Sequence, residues 1–305
     1  MNAFKLPLNL QGNMEIRMIG DRGAGKTTFL AALVYCWKRT DYYDGPILSV
    51  EAFGQASQKL IDKAQDFLED GRPTPASDLY DSENPDRLPP LYNFYVNLKA
   101  KLFAHPLAWI LKKPIKLTVA CREYPGELFS ELRELLAPQK PILNQYLDDC
   151  AKASGLMLLI DGTSRLDKDY AETLKILLKE LNLRWANNRN NMKLTRIAVV
   201  FSKGEQDDVW VRRDNLVTFT DLNFPKTKAI LQDWCQSKNC AINYFTCSAF
   251  GMMNDPPEAN VREVKSDRGG TYGVINRKDF WKPFGLVAPI YWLHTGKDNR
   301  QLREI

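Results

Sequence analysis

Histidine is almost missing from this chain. Its 305 residues hold two, His105 and His294, far apart and in no ligand pattern, which argues against a histidine-built metal centre. Six cysteines stand at 36, 121, 150, 235, 240 and 247 without a C-x-x-C pair, so they read as free, mostly buried thiols in a reducing compartment. No apolar run approaches the roughly 20 residues of a membrane-spanning helix. The most apolar late segment, Gly285 to Leu293, is short and contains Pro289. The N-terminal stretch MNAFKLPLNLQGNMEIRMIG lacks the apolar core of a signal peptide. Zinc-finger spacing, Lys/Arg runs, internal repeats and low-complexity tracts are also lacking. The formal net charge of +5 is a mild excess and does not argue for direct contact with nucleic acid. The expectation is a cytoplasmic globular protein with no membrane span.

What is present is a βα alternation. Met14 to Ile19 reads as a strand, and Lys26 to Lys38 as a helix with Phe29, Leu30, Leu33, Val34 and Trp37 on a buried stripe. Residues 39–50 are turn-rich. Ser57 to Leu68 reads as an amphipathic helix and Gly71 to Pro90 as a long polar loop. Leu91 to Leu102 and Ile115 to Ala120 read as adjacent, antiparallel strands. Gly155 to Ile160 and Thr195 to Phe201 are continuous apolar runs of the kind buried in a parallel sheet. Ala241 to Cys247 reads as a further strand, residues 254–282 as a polar loop insertion, and Leu286 to His294 as the last helix. One domain over 1–305 is expected, with insertions at about 39–90 and 254–282.

The decisive motif follows the first strand. Gly20-Asp21-Arg22-Gly23-Ala24-Gly25-Lys26-Thr27 fits GxxxxGK[ST] in full. Its glycines permit backbone N–H groups to curl round a phosphate. Lys26 reaches the β- and γ-phosphates, and the Thr27 hydroxyl is offered to Mg²⁺. Thr28 lies in the first turn of the helix whose N-terminus completes the cradle. The strand-loop-helix context is the required one, so the fold class is α/β, a P-loop NTPase sandwich with a mostly parallel central sheet. Arg22, projecting from mid-loop, is a candidate arginine finger in cis.

Three later segments follow predicted strands, where open α/β sheets bind ligands. Cys121-Arg122-Glu123-Tyr124-Pro125-Gly126-Glu127 resembles the DxPG segment of Ras-like and translation-factor GTPases, with Glu123 for Asp. The resemblance implies Mg²⁺ contact at Glu123, γ-phosphate contact at Gly126 and a water-positioning role at Glu127. A carboxylate there would also repel a γ-phosphate. Ser202-Lys203-Gly204-Glu205 resembles the NKxD guanine-selecting element, implying Lys203 over the base and Glu205 accepting from guanine. Cys247-Ser248-Ala249 is similar to the SAx base loop, placing Ser248 and Ala249 beside the base. Asp161-Gly162-Thr163 ends the intervening strand with no role assigned. For the hydroxyl that completes Mg²⁺ coordination, the 71–90 loop offers Thr74, Ser77 and Ser82, with Ser77 preferred.

Together these segments, spanning about 14–296, resemble the P-loop GTPase superfamily. The long spacing before the Pro-Gly turn, and the late segment Trp281 to Trp292, are similar to bacterial double-GTPase-type domains. The resemblance implies a GTP-binding switch with slow Mg²⁺-dependent hydrolysis to GDP, read by a protein effector or regulator. A non-hydrolysing guanine-nucleotide scaffold and a P-loop ATPase or kinase are the alternatives. Oligomeric state is not legible from the sequence.

Overall fold

The computed structural model describes residues 14–38, 46–70, 89–99, 115–134, 141–187, 194–265 and 271–305. The first half runs β1 (Met14–Ile19), α1 (Lys26–Tyr35), β2 (Ile47–Phe53), α2 (Gln55–Gln65), β3 (Leu91–Leu98), β4 (Ile115–Glu123), α3 (Gly126–Glu131) and α4 (Pro141–Lys152). Then come β5 (Gly155–Asp161), α5 (Asp167–Asn187), β6 (Arg196–Ser202), α6 (Leu216–Asn223), α7 (Pro225–Lys238) and β7 (Ala241–Thr246). The C-terminal part adds β8 (Met252–Met253), β9 (Glu258–Ala259), β10 (Val261–Lys265), β11 (Thr271–Ile275), α8 (Ala288–Thr295) and α9 (Arg300–Arg303).

Seven strands form one sheet in the order β2-β3-β4-β1-β5-β6-β7. β4, β1, β5, β6 and β7 pair in parallel. β3 is antiparallel to both neighbours, so it alone is reversed and the expected antiparallel pair is present. The central strands are apolar on both faces because both are covered. Met157 and Leu159 of β5 join one core with α1, α2 and α8. Leu156, Leu158 and Ile160 join the other with α4, α5 and α7. β1 follows the same alternation. Ile16 and Met18 face the first core, and Arg17 between them points to the opposite side, onto Asp149 of α4. Trp281, Phe284, Tyr291 and Trp292 are buried.

Three segments depart from expectation. The turn-rich reading of 39–50 hid β2, an edge strand whose alternation of Val50 inward with Ser49 and Glu51 outward is diluted by its polar face. Residues 254–282 are not one loop. They carry β9 and the antiparallel β10–β11 hairpin, which buries Val274 and Ile275 while charged residues occupy its outer face. β4 extends to Glu123, so this residue ends a strand rather than following one. The preferred switch hydroxyl Ser77, with Thr74 and Ser82, lies outside the described residues, as does His105.

Candidate functional site

The parallel strands β1, β4, β5, β6 and β7 end on the same edge of the sheet. Each hands over there to one of the singled-out segments: 20–27, 124–127, 162–163, 203–205 and 247–249. The loop after β1 must turn at once, because Leu159 of β5 packs against it. Gly20 has φ 150°, and a Cβ there would strike the Leu159 carbonyl. The turn is closed by Ala24 N–H donating to Asp21 O and by Phe29 N–H donating to Gly25 O at 2.8 Å. Ala24 is buried beneath it. Lys26 opens α1 and curls back, its Nζ 2.9 Å from Gly20 O and 3.0 Å from Asp21 O. This ammonium is only 6% exposed. Burial lowers its pKa, opposed by the charges of Glu123, Glu127 and Asp21. A cation held in a low-dielectric loop and ringed by backbone carbonyls is poised for an anion.

The Thr27 hydroxyl donates to Glu123 Oε1 at 2.5 Å. Burial raises the Glu123 carboxyl, with Lys26 and the Thr27 hydrogen bond acting against it. The donor set here is a hydroxyl and a carboxylate, all hard oxygen, and it fits Mg²⁺, which takes one or two protein oxygens plus phosphate and water. Among the described residues there is no cluster of three or more His, Cys, Asp or Glu that would compete as a metal site.

Gly126 is wedged against the phosphate loop. A Cβ on it would collide with the backbone N and Cα of Arg22 and with the carbonyl carbon of Asp21. The next residue, Glu127, is half exposed, and its Oε1 lies 3.5 Å from Arg22 Nε, itself 83% exposed. The two catalytic candidates therefore pair with each other at the rim. The turn is braced from beneath by a cluster that sequence reasoning did not find. Tyr124 Oη donates to Asp149 Oδ2 at 2.7 Å. Asp149 also receives Arg17 through Nε at 2.5 Å and Nη2 at 2.8 Å, with Arg122 Nε 3.2 Å away. Burial pushes the Asp149 carboxyl up, but the Arg17 and Tyr124 hydrogen bonds and the two guanidinium charges outweigh it and hold it below its usual range. Only the third dimension reveals this cluster, since Arg17 and Asp149 are 132 residues apart.

The other end of the site is built by β5, β6 and β7. Ser202 is buried, donates its hydroxyl to Ile160 O at 3.2 Å and lies against Gly25 of the phosphate loop. Lys203 takes a left-handed conformation, φ 58°, and its Nζ reaches Asp161 Oδ2. Asp161 Oδ1 in turn accepts from the N–H and hydroxyl of Thr163, at 2.9 and 2.7 Å. The segment without an assigned role is thus the anchor of Lys203. Gly204 N–H donates to Cys247 O at 2.9 Å and laces this loop to the next.

Glu205 is 2% exposed. Burial raises its pKa, against a hydrogen bond from Ser248, its own backbone N–H and the charge of Lys203. Its Oε2 has no hydrogen-bond partner among the described residues. Ser248 is itself fully buried, its Oγ accepting from the N–H groups of Phe250 and Gly251 at 3.1 and 2.7 Å. Its own N–H is taken by Phe284 O at 3.0 Å. It therefore stands behind Glu205 as a brace. Ala249 is fixed by the Trp281 indole, which donates to its carbonyl at 2.8 Å.

The chain has a P-loop NTPase fold. The phosphate loop follows the central strand β1, the covered sheet is mostly parallel, and the other singled-out segments gather at its carboxyl edge. No family model matches the chain, and no curated protein matches it. Among solved structures it is similar to the S. cerevisiae Ski7 GTPase-like domain bound to GTP, at 15% identity over 94% of this chain and 51% of that one, TM-score 0.41. It is also similar to the signal recognition particle receptor SRb-GTP/SRX complex from Chaetomium thermophilum, at 12% identity over 79% of this chain and 92% of that one, TM-score 0.35. The G domain of T. maritima FeoB is similar at 10% identity over 81% and 92%, TM-score 0.27. The chain spans about half the length of the Ski7 structure.

Proposed function

We propose that this chain is a guanine-nucleotide-binding switch that hydrolyses GTP slowly with Mg²⁺. The observation that carries the reading is Glu205, a buried carboxylate with one oxygen held by Ser248 and the other without a hydrogen-bond partner among the described residues. An orphaned buried acceptor is costly unless a ligand satisfies it. Guanine presents two adjacent donors, the ring N–H and the exocyclic amine, which match a carboxylate. Adenine presents no such pair. Lys203, tethered beside it, supplies a stem to lie over the ring.

At the phosphate end, backbone N–H groups of Gly23, Ala24, Gly25, Lys26, Thr27 and Thr28 line the loop and the start of α1, and Lys26 adds the charge. Thr27 and Glu123 would hold Mg²⁺, whose charge would stabilise the phosphates. Gly126, wedged against the phosphate loop, would offer its N–H to a γ-phosphate. Glu127 would orient water, and Arg22 would leave Glu127 for the developing phosphoryl charge. The exchange is cheap, because an exposed ion pair is worth about 0–1 kcal/mol, whereas a cis arginine at a transferring phosphoryl group contributes far more.

A protein effector would read the order imposed on the 124–127 turn. The position of Glu127 favours a second reading, a guanine-nucleotide scaffold without useful turnover, since a carboxylate in this turn would repel a terminal phosphate.

The test is Mg²⁺-dependent binding of GTP and ATP side by side, with Lys26→Ala as control. GTP preferred over ATP and lost in K26A is the expected result. Equal or stronger ATP binding overturns the guanine assignment. Single-turnover hydrolysis then separates the two readings. Arg22→Ala should slow it at least about tenfold, and an unchanged rate removes Arg22 from catalysis.

A further inference from the structure

We propose that Cys235 and Cys240 form a reversible intramolecular disulfide under peroxide, a modification site on the face of the sheet edge opposite the nucleotide site. The pair owes its geometry to how α7 ends. Asn239 turns left-handed, φ 53° and ψ 41°. The N–H groups of Asn239 and Cys240 then both donate to the Cys235 carbonyl, the latter at 3.0 Å. This is the helix stop in which the side chain just past the left-handed residue folds back onto the last turn. The two residues that meet in that contact, ordinarily apolar, are here both cysteine. The Cys240 Sγ lies 3.5 Å from Ala241 O, and the two thiols are near enough to shift each other's titration.

Three further observations make the pair reactive rather than inert. Cys235 and Cys240 line one cavity of about 320 Å³ with Gln232, Gln236 and Asn239, so a small oxidant can enter. Cys240 is partly exposed, whereas Cys235 is buried beneath it, as are Cys36, Cys121, Cys150 and Cys247 elsewhere. The neighbouring Cys240 thiol lowers the Cys235 thiol against its burial, whereas Cys235 and burial push the Cys240 thiol up, with the Arg196 guanidinium acting against them. Cys235 is therefore the attacking thiol and Cys240 the resolving one. For Cys36, Cys121, Cys150 and Cys247, unlike Cys235, desolvation prevails and pushes the thiol up.

The chemistry balances with hydrogen peroxide as the oxidant. One thiolate attacks a peroxide oxygen, the O–O bond breaks, and a sulfenic acid and hydroxide form. The second thiol attacks the sulfenic sulfur, its proton leaves with the hydroxyl as water, and the S–S bond closes. In total two thiols and one peroxide yield one disulfide and two waters. The site is independent of nucleotide recognition, since α7 ends and β7 begins at the sheet edge away from the phosphate loop.

The experiment is peptide mapping of the full chain after peroxide treatment, with alkylation of free thiols. Trypsin cuts after Lys228, Lys238 and Arg262, so the two cysteines fall in separate peptides, 229–238 and 239–262. The expected result is a single cross-linked species joining them, two hydrogens lighter than their sum, and dissolved by dithiothreitol. Cys240→Ser should abolish it and leave Cys235 as a dimedone-reactive sulfenic acid. A cross-link that persists in C240S assigns the partner to Cys247 and overturns the proposal. So does a Cys240 that proceeds to sulfinic acid while Cys235 stays alkylatable.

Discussion

Glu205→Gln separates recognition from stability more sharply than any other change. The side chain keeps its shape and its contact with Ser248, but the carboxylate becomes an amide. In the free protein a desolvated charge disappears, and burial already raises this carboxyl, so the melting temperature should hold or rise. In the GTP complex, two hydrogen bonds to a charged acceptor are lost, each worth about 1.5–3 kcal/mol. Taking the lower figure for both gives about 3 kcal/mol, or roughly 100-fold weaker binding. Affinity for ATP, which never used the carboxylate, should stay within a few-fold. Xanthosine triphosphate carries a carbonyl where guanine has its amine, so the amide N–H should improve its binding. Titration calorimetry of the three nucleotides with saturating Mg²⁺, alongside thermal melts, measures all of this. Unchanged GTP affinity would refute the base-recognition argument. So would a loss shared equally by ATP and accompanied by a fall in melting temperature.

Other outcomes follow from the same geometry. Gly126→Ala places a methyl into the Arg22 backbone, which should cost about 1–3 kcal/mol of stability by overpacking and weaken γ-phosphate-bearing nucleotides more than diphosphates in binding assays. GTP binding should strengthen with rising pH relative to ATP. Glu205 holds its proton to higher pH than an ordinary carboxyl, guanine binding needs it ionised, and Glu123 affects both nucleotides alike. For the free protein the sign reverses, since ionising Glu205 as pH passes from its unfolded to its folded pKa removes stability. The ratio of the two affinities against pH reads the binding effect, and E205Q should flatten it. Asp149→Asn leaves the buried Arg17 with only the half-exposed Glu15 as counter-charge among the described residues, which should cost about 3–5 kcal/mol in denaturant melts. Because the Asp149 pKa is depressed, the wild-type advantage is present above its unfolded value and should vanish as acid titrates it through the folded one.

The alternation of apolar runs carried the fold, because central parallel strands are buried on both sides and write themselves as LMLLI and IAVVF. β2 and the β10–β11 hairpin were illegible for the opposite reason. Each shows one face to solvent, so half its residues are polar and read as loop. The segments 20–27, 123–127, 202–205 and 247–249 stand out because backbone geometry and phosphate chemistry fix both residue type and spacing. Their supports do not. Asp161 binds Lys203 across two neighbouring strands, and Asp149 gathers Arg17 from one distant segment and Arg122 and Tyr124 from another, with no local pattern to announce either. Cys235 and Cys240 were legible as residues but not as a pair, because a helix stop, not a motif, brings them together.

The tether of Lys203 to Asp161 has a consequence for how tightly a base can be held. A lysine stem free in solvent loses rotational freedom when a ring settles on it, at about 0.5–1.5 kcal/mol per side chain immobilised on binding. Here that freedom is already surrendered on folding, through an ion pair anchored by Thr163. An arriving ring therefore meets a surface already frozen in place, and its contact energy goes into residence time rather than into ordering the protein.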